Sequence, residues 1–362
     1  MTPSSPATGP SGGGRLLVVV PHATRTGSTR VLLDLLRAGA GDLAVPLAIS
    51  LGAGGPLADE LAALGSPPDP LERPAAVLAN TCLSADRLLA VDPSVPTAVY
   101  VHEAGEVLAS LPGEGRRGLL RADLVLCVSE RTAVDLAAIG IDPDRIKVLP
   151  PLVRAPSEVG ADEVGACRAA LGVGTGEHLV IGCGEASHRK GTDLFVEVAG
   201  RLGHRDDLHF AWVGRRLRSM SRMLDHDVDA LGVGRRLRWV EEVRDPAAHF
   251  AAADLLVMTS RSDPQPLVPL EAAAQGCPTV GFAIGGVAEL AAVGGARSVP
   301  FPDVVGLASA VEQVVDDPAL AGTLVVGARR RLAERSDASV VARFVAAIGA
   351  LLAGPDHRSE RP

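Results

Sequence analysis

Aromatic residues are scarce in this chain, with six Phe, two Trp and one Tyr in 362 residues. Proteins that read nucleic acid rely on basic surface and on aromatic stacking platforms. A chain with a formal net charge of −8 and 2% aromatics offers neither, so no nucleic-acid partner is expected. Cysteine is sparse and scattered. Cys82, Cys127, Cys167, Cys183 and Cys277 form no CxxC pair, so they read as small core residues of a reduced, cytoplasmic protein. No uninterrupted apolar run reaches the ~18 residues of a membrane span, so no spanning helix is expected, and peripheral membrane contact stays open. GxGxxG and GxxxxGK[ST] are both missing, which removes the dinucleotide fingerprint and the P-loop. The acidic run DHDVD (225–229) has Ala230 and Arg236 where a calcium loop needs Gly and Glu, and Asp206-Asp207 has no third partner nearby. No metal and no cofactor are assigned.

What is present is a recurring pattern of short Val/Leu/Ile runs between longer helix-like segments, the mark of a parallel sheet covered on both faces. The runs fall at 16–20, 43–49, 75–80, 97–101, 124–128 and 146–150, then at 178–184, 208–214, 237–240, 255–260, 278–282 and 296–301. Six and six predict two doubly wound α/β domains rather than one large one. The expected layout is a Pro/Gly/Ser-rich disordered tail at 1–14, a first domain at 15–155, a second at 156–337, a C-terminal helix at 338–354 that packs back on the first domain, and a polar tail at 355–362. Ligands of such domains bind at the carboxyl ends of the strands.

The candidate chemical groups all follow strands. In SRSDPQPLVPLEAAAQG (260–276), Pro264 and Pro266 bias their predecessors away from the helical region and place Asp263 on an irregular loop. Pro269 suits a first helical turn, so a helix is predicted from about Leu267, with the amides of Leu267 and Val268 at its start and Glu271 close behind. In GCGEASHRKG (182–191), Arg189 and Lys190 precede a helix opening at Gly191, and a lysine retained in so arginine-rich a chain suggests a phosphate contact. PHATRTGSTR (21–30) offers Gly27 for close backbone approach and Ser28 or Thr29 as a helix cap. His102, at a strand end, is either a polar ligand contact or a packed polar residue. Gly285-Gly286, ahead of Glu289, either admit a ligand or make a tight turn. The arginine runs 215–218 and 235–238 read as solvated surface, and the segment LPGEGRRGLLRAD (111–123) as either a solvated basic turn or a contact for lipid head groups.

Taken together, GCGEASHRKGTDLF, HFAWVG, ADLLVMTSRSDPQPLVPLEAAAQG and GFAIGGVAEL, preceded by PHATRTGSTRVLLDLL, YVHE and ADLVLCVSE, resemble the family 4 retaining glycosyltransferases (glycosyl transferases group 1) of the GT-B fold. The resemblance implies two Rossmann-like domains facing each other across a cleft. It also implies metal-independent transfer of a sugar, with retention, from a nucleotide-sugar substrate to a small-molecule, glycan or lipid-linked hydroxyl acceptor. Asp263 and Glu271 match the family's E-x7-E motif, with aspartate in the first place. By that match Asp263 contacts the donor sugar, Glu271 the ribose, and Leu267 and Val268 the pyrophosphate and sugar through their backbone. Lys190, beside Arg189, falls on the phosphate-binding lysine, His102 on the histidine facing the donor sugar, and Gly27 on the loop nearest the phosphates. Two positions depart from the pattern: Glu185 stands where an arginine is common, and Gln265, ahead of Pro266, where many relatives carry phenylalanine. These departures motivate an alternative, a sugar-nucleotide-binding pseudoenzyme or partner subunit.

Overall fold

A computed structural model of the chain describes residues 14–103, 105–153, 157–335 and 337–354. The expected tails, apart from Gly14, and the expected boundary at residue 155 lie outside the described residues. The chain forms two compact units, one holding the described residues up to Leu152 and from Asp337 onward, the other those within 153–336.

The first unit is built on a parallel sheet of β1 (Leu16–Val20), β2 (Leu47–Leu51), β3 (Ala76–Asn80), β4 (Thr97–Val101), β5 (Leu124–Cys127) and β6 (Ile146–Val148), in the spatial order β2-β1-β3-β4-β5-β6. Every predicted run is a strand; β2 starts later than the pattern suggested because Pro46 ends the preceding turn, and strand pairing begins one residue after it. In β3, β4 and β5 all residues are buried, as a central parallel strand requires.

The second unit repeats the plan with β7 (His178–Cys183), β8 (Leu208–Val213), β9 (Leu237–Val240), β10 (Leu255–Met258), β11 (Thr279–Phe282) and β12 (Arg297–Val299), in the order β12-β11-β10-β7-β8-β9. Alternate residues of one strand enter opposite cores. Val180 and Val257 join Phe195, Phe210 and Trp212 on one face, while Leu179, Ile181, Leu256 and Met258 join Phe250 on the other. In both sheets the strand order reverses next to the first strand, between β1 and β3 and between β7 and β10. A doubly wound sheet opens a crevice for ligands at that reversal, outside the carboxyl ends.

Taken as a single run, Pro318–Ala353 is long and apolar enough by length and composition to cross a membrane. It is in fact two helices, Pro318–Glu334 and Asp337–Ala353, that belong to different units. The second places Val340, Phe344, Ile348 and Leu351, all buried, along one stripe at helical spacing. That stripe lies on the Gly27–Gly39 helix, where a Cβ added at Gly39 would come 3.2 Å from Val341 Cγ1 and 3.6 Å from Phe344 Cδ1. Arg343 ties the same helix to the sheet by donating to the Val148 carbonyl.

Phe344 is fully buried, so Phe344→Ala removes a ring that its surroundings cannot replace. The expected cost is about 3–5 kcal/mol to the first unit. Both tryptophans, Trp212 and Trp239, lie in the second unit. Urea unfolding followed by far-UV circular dichroism should therefore shift for this variant, while the tryptophan-fluorescence transition stays in place.

Candidate active site

In the second unit the sequence candidates converge where the strand order reverses. β7 and β10 are neighbours, so the loops leaving their carboxyl ends meet although the residues are far apart in the chain. Lys190 Nζ, on the first loop, donates to Asp263 Oδ2 on the second at 2.5 Å. The two side chains retain only 13% and 11% of their exposure. Arg189 stands further out, donating to the Ser262 carbonyl at 2.9 Å and lying 4.0 Å from Asp263 Oδ1.

Three further ties make the two loops one body. Thr259 Oγ1 donates to the Lys190 carbonyl at 3.1 Å, and the Arg261 amide donates to the Arg189 carbonyl at 2.9 Å. The Arg261 guanidinium grips both oxygens of Asp193, at 2.7 and 2.6 Å, from the far side. Burial opposes ionisation of Asp193, yet Arg261 holds its carboxyl below the usual range. Gly191, with φ of +65°, lets the loops close: a Cβ there would lie 2.0 Å from the Thr259 carbonyl oxygen.

The loop continues through Gln265 and Pro266 into the helix Val268–Ala274, which opens close to the predicted position and carries Glu271, half-buried, in its first turn. The Glu271 amide donates to the Leu267 carbonyl at 3.0 Å. Gly285 and Gly286 seat this loop. At Gly285, with φ of +51°, a Cβ would fall 1.9 Å from the Asp263 carbonyl oxygen, and at Gly286 it would fall 2.7 Å from Pro266 Cδ. The close approach these glycines allow is thus made by the chain's own Asp263 loop. Glu185 is exposed and engaged by Arg215 at 2.5 Å, so its charge is already matched.

His102 and Gly27 lie in the first unit. His102 follows β4, its ring 4.1 Å from that of Tyr100 and its Nε2 3.0 Å from Asn80 Oδ1. Burial lowers its pKa to about 3, so the imidazole is neutral near pH 7. The neighbouring Glu103 accepts from the amides of Cys82 at 3.1 Å and His102 at 3.0 Å, and burial raises its pKa. Gly27 is the first residue of its helix, and a Cβ there would meet nothing within 4 Å. The expected caps do not form. Thr26 occupies the cap position, but its hydroxyl lies 3.1 Å from Thr29 Oγ1 and caps no helix amide, and Thr29 is buried, donating to the His22 carbonyl at 3.3 Å.

Arg335 escaped the sequence reading, as did the bonds that join it to the candidates Gln265 and Glu289. Gln265 has its amide between Glu289 and Arg335, with Nε2 donating to Glu289 Oε2 at 3.2 Å and Oε1 accepting from Arg335 Nη2 at 2.9 Å. Arg335 is buried at the end of the Pro318–Glu334 helix, and burial lowers its pKa to about 10. These residues line a small cleft with Pro266, Pro269 and Leu290. The arginine runs are also more than solvated surface. Arg216 pairs with Asp225 and lies 4.9 Å over the Trp239 ring, and Arg236 donates to the carbonyls of Arg205 and Gly203. Asp225 belongs to the helix Arg218–Ala230, and Asp207 is paired with Arg205 at 2.7 Å.

Residues 177–317 match the family described as glycosyl transferases group 1. The chain is 29% identical over 296 residues to D-inositol 3-phosphate glycosyltransferase 1 of Catenulispora acidiphila, covering 74% of this chain and 69% of that protein. It is 35% identical over 172 residues to the lipopolysaccharide core biosynthesis mannosyltransferase LpcC of Rhizobium leguminosarum bv. viciae, covering 46% of this chain and 47% of that one. Among solved structures, Anabaena HepE in complex with UDP-glucose superposes with a TM-score of 0.80 at 17% identity, covering 93% of this chain and 99% of that one. WaaG, a glycosyltransferase involved in lipopolysaccharide biosynthesis, gives 0.72 at 16% identity, covering 94% and 100% of the two chains.

Breaking a nearly buried ion pair from one side strands the other charge. Lys190→Met should lower the stability of the second unit by about 3 kcal/mol, and the double variant Lys190→Met/Asp263→Asn should cost less than the two single changes added together. Urea unfolding read by tryptophan fluorescence gives all four corners of the cycle. A coupling near zero would mean that the pair does not hold the loops.

Proposed function

The chain being a group 1 glycosyltransferase of the GT-B fold, we propose that it moves a sugar from a nucleoside-diphosphate sugar to a hydroxyl acceptor with retention of anomeric configuration. The observation that carries this reading is the Lys190–Asp263 pair where β7 and β10 adjoin, with Arg189 beside it. Breaking a sugar–phosphate bond leaves negative charge on the departing diphosphate, and fixed cations that need no reorganisation stabilise it better than water does. Lys190 is such a cation, held in place by its partner and by the closed loops around it. On this reading the diphosphate takes over hydrogen bonds of Lys190 and Arg189, and Asp263 turns to hydroxyls of the sugar. Those built-in charges are why we read the transfer as metal-independent.

Glu271, in the first turn after the same loop, is proposed to hold the ribose hydroxyls, with the backbone of Leu267 and Val268 toward the pyrophosphate and sugar. Gln265 and Pro266 shape the donor-sugar side, and Gly27 is the point of close approach on the first unit. His102 is neutral, so its proposed part is hydrogen bonding to the sugar rather than supplying positive charge. The acceptor's proton passes to the departing phosphate, so no separate base is required. By the same resemblance we place the enzyme in family 4, acting in the cytoplasm on a small-molecule, glycan or lipid-linked acceptor. The pseudoenzyme alternative loses one of its motives, since Glu185 is matched by Arg215. It keeps the other, the aspartate at 263.

A panel of nucleotide sugars offered with varied hydroxyl acceptors should give a product whose anomeric proton coupling matches the donor's configuration. Inverted product would overturn the retaining mechanism. Nucleotide binding without transfer or donor hydrolysis across the panel would favour the binding protein.

Calorimetry should separate the binding roles. Lys190→Ala should weaken nucleoside diphosphate binding roughly tenfold or more while barely changing nucleoside binding, in keeping with one lost charge-assisted contact. Glu271→Ala should weaken both ligands alike, because both carry the ribose. Equal losses on both ligands for Lys190→Ala would remove the phosphate role.

A further inference from the structure

The reversal point of the first sheet carries a buried polar residue that the proposed mechanism does not use. Asn80 ends β3, is fully buried, and lies between two loops that contain site residues. Its Nδ2 donates to the Ser28 carbonyl, in the loop and helix start after β1, at 3.4 Å. Its Oδ1 lies 3.0 Å from Nε2 of His102, which follows β4.

The hydrogen-bonding capacities of these groups settle which atom carries the proton. A backbone carbonyl only accepts, so the amide nitrogen must face Ser28 and the amide oxygen must face the ring. An amide oxygen also only accepts, so Nε2 must be the protonated ring nitrogen. The imidazole is neutral, which leaves Nδ1 as a bare lone pair. We infer that Asn80 is a positioning residue that fixes His102 in its Nε2–H tautomer, so that the ring offers Nδ1 as an acceptor to a hydroxyl of the sugar.

The backbone next to Asn80 supports a constrained role. Thr81 has φ of +74° and ψ of 150°, a region that a β-branched residue adopts only under constraint. It is held there by its amide donating to the Tyr100 carbonyl at 2.9 Å and by its Oγ1 accepting from the Leu83 amide at 3.2 Å. Glu103 bonds the amides of Cys82 and His102 from the other side, so the ends of β3 and β4 are locked together around the imidazole. Substrate orientation of this kind is lost steeply with small displacements.

The inference rests on the proposed placing of His102 toward the sugar, and its test separates the two. Long-range ¹H–¹⁵N correlation on the uniformly ¹⁵N-labelled full chain reads the tautomer without turnover, with His102 assigned from the signal lost in His102→Gln. The expected spectrum shows Nε2 protonated and Nδ1 bare. Asn80→Asp keeps an acceptor opposite Nε2 and should keep Nε2 protonated, its carboxylate also raising the ring's pKa. Asn80→Ala should give a mixture of tautomers and lower kcat roughly 10- to 100-fold, with the KM for the donor within about twofold. An Nδ1–H or doubly protonated His102 in the unsubstituted protein overturns the inference, as does an Asn80→Ala protein whose tautomer and kcat are unchanged. If Asn80→Ala does not fold, the spectra of the unsubstituted protein and of Asn80→Asp decide. Absence of sugar transfer beside an Nε2–H spectrum would instead count against the proposed function.

Discussion

The second unit is organised by a short ion pair that has little water around it. Removing a carboxylate and an ammonium from water is expensive, and the pair is tolerable only when its geometry is close and the surrounding polar atoms are satisfied. Lys190 and Asp263 meet this condition because they extend from neighbouring strands where the sheet changes direction. Nearby features serve the same end: Arg261 on Asp193, Thr259 on the Lys190 carbonyl, and the glycines at 191 and 285 that let main chains approach. None of these would be needed by a loop that merely turns the chain.

The two reversal points solve the same geometric problem with opposite chemistry. In the second unit the loops are joined by full charges, and in the first by a neutral amide against a neutral ring. On the proposed mechanism this division has a physical reason. Diphosphate departure builds negative charge that fixed cations must meet, whereas hydroxyls of a sugar need direction more than charge. Burial keeps His102 neutral, as a group whose proposed part is direction rather than charge must be.

How much of this was legible in the sequence follows from the range of each interaction. All twelve strands were readable from their short Val/Leu/Ile runs, most plainly β3, β4 and β5, which are buried throughout. Lys190 was visible through the scarcity of lysine, and the Asp263 loop through its prolines. The bond between them was not, since it spans 73 positions and depends on the order of strands. Asn80 was hidden for a related reason. At the end of AVLAN it reads as the last residue of a strand, and nothing local shows that β1 and β4 flank it. Arg335 was lost among many arginines, and the runs at 215–218 and 235–238 misled because packing of arginine against Trp239 or on carbonyls leaves no sequence period.

A net acidic protein can still gather cations at one point of its fold. Net charge governs solubility and encounter, while affinity at a site depends on the charges within a few ångströms and on their screening. Glu185, the anion closest in sequence to Lys190 within its loop, is matched by Arg215, and Asp193 by Arg261. Asp263 remains, and it is shared between Lys190 and the more distant Arg189. Two cations therefore face the one carboxylate of Asp263 where β7 and β10 end, whatever the sign of the whole chain. Aspartate, one methylene shorter than glutamate, keeps its carboxylate close to the loop that bears Lys190. The length of that side chain therefore sets the strength of the pair and, on the proposed reading, the reach left for a sugar hydroxyl.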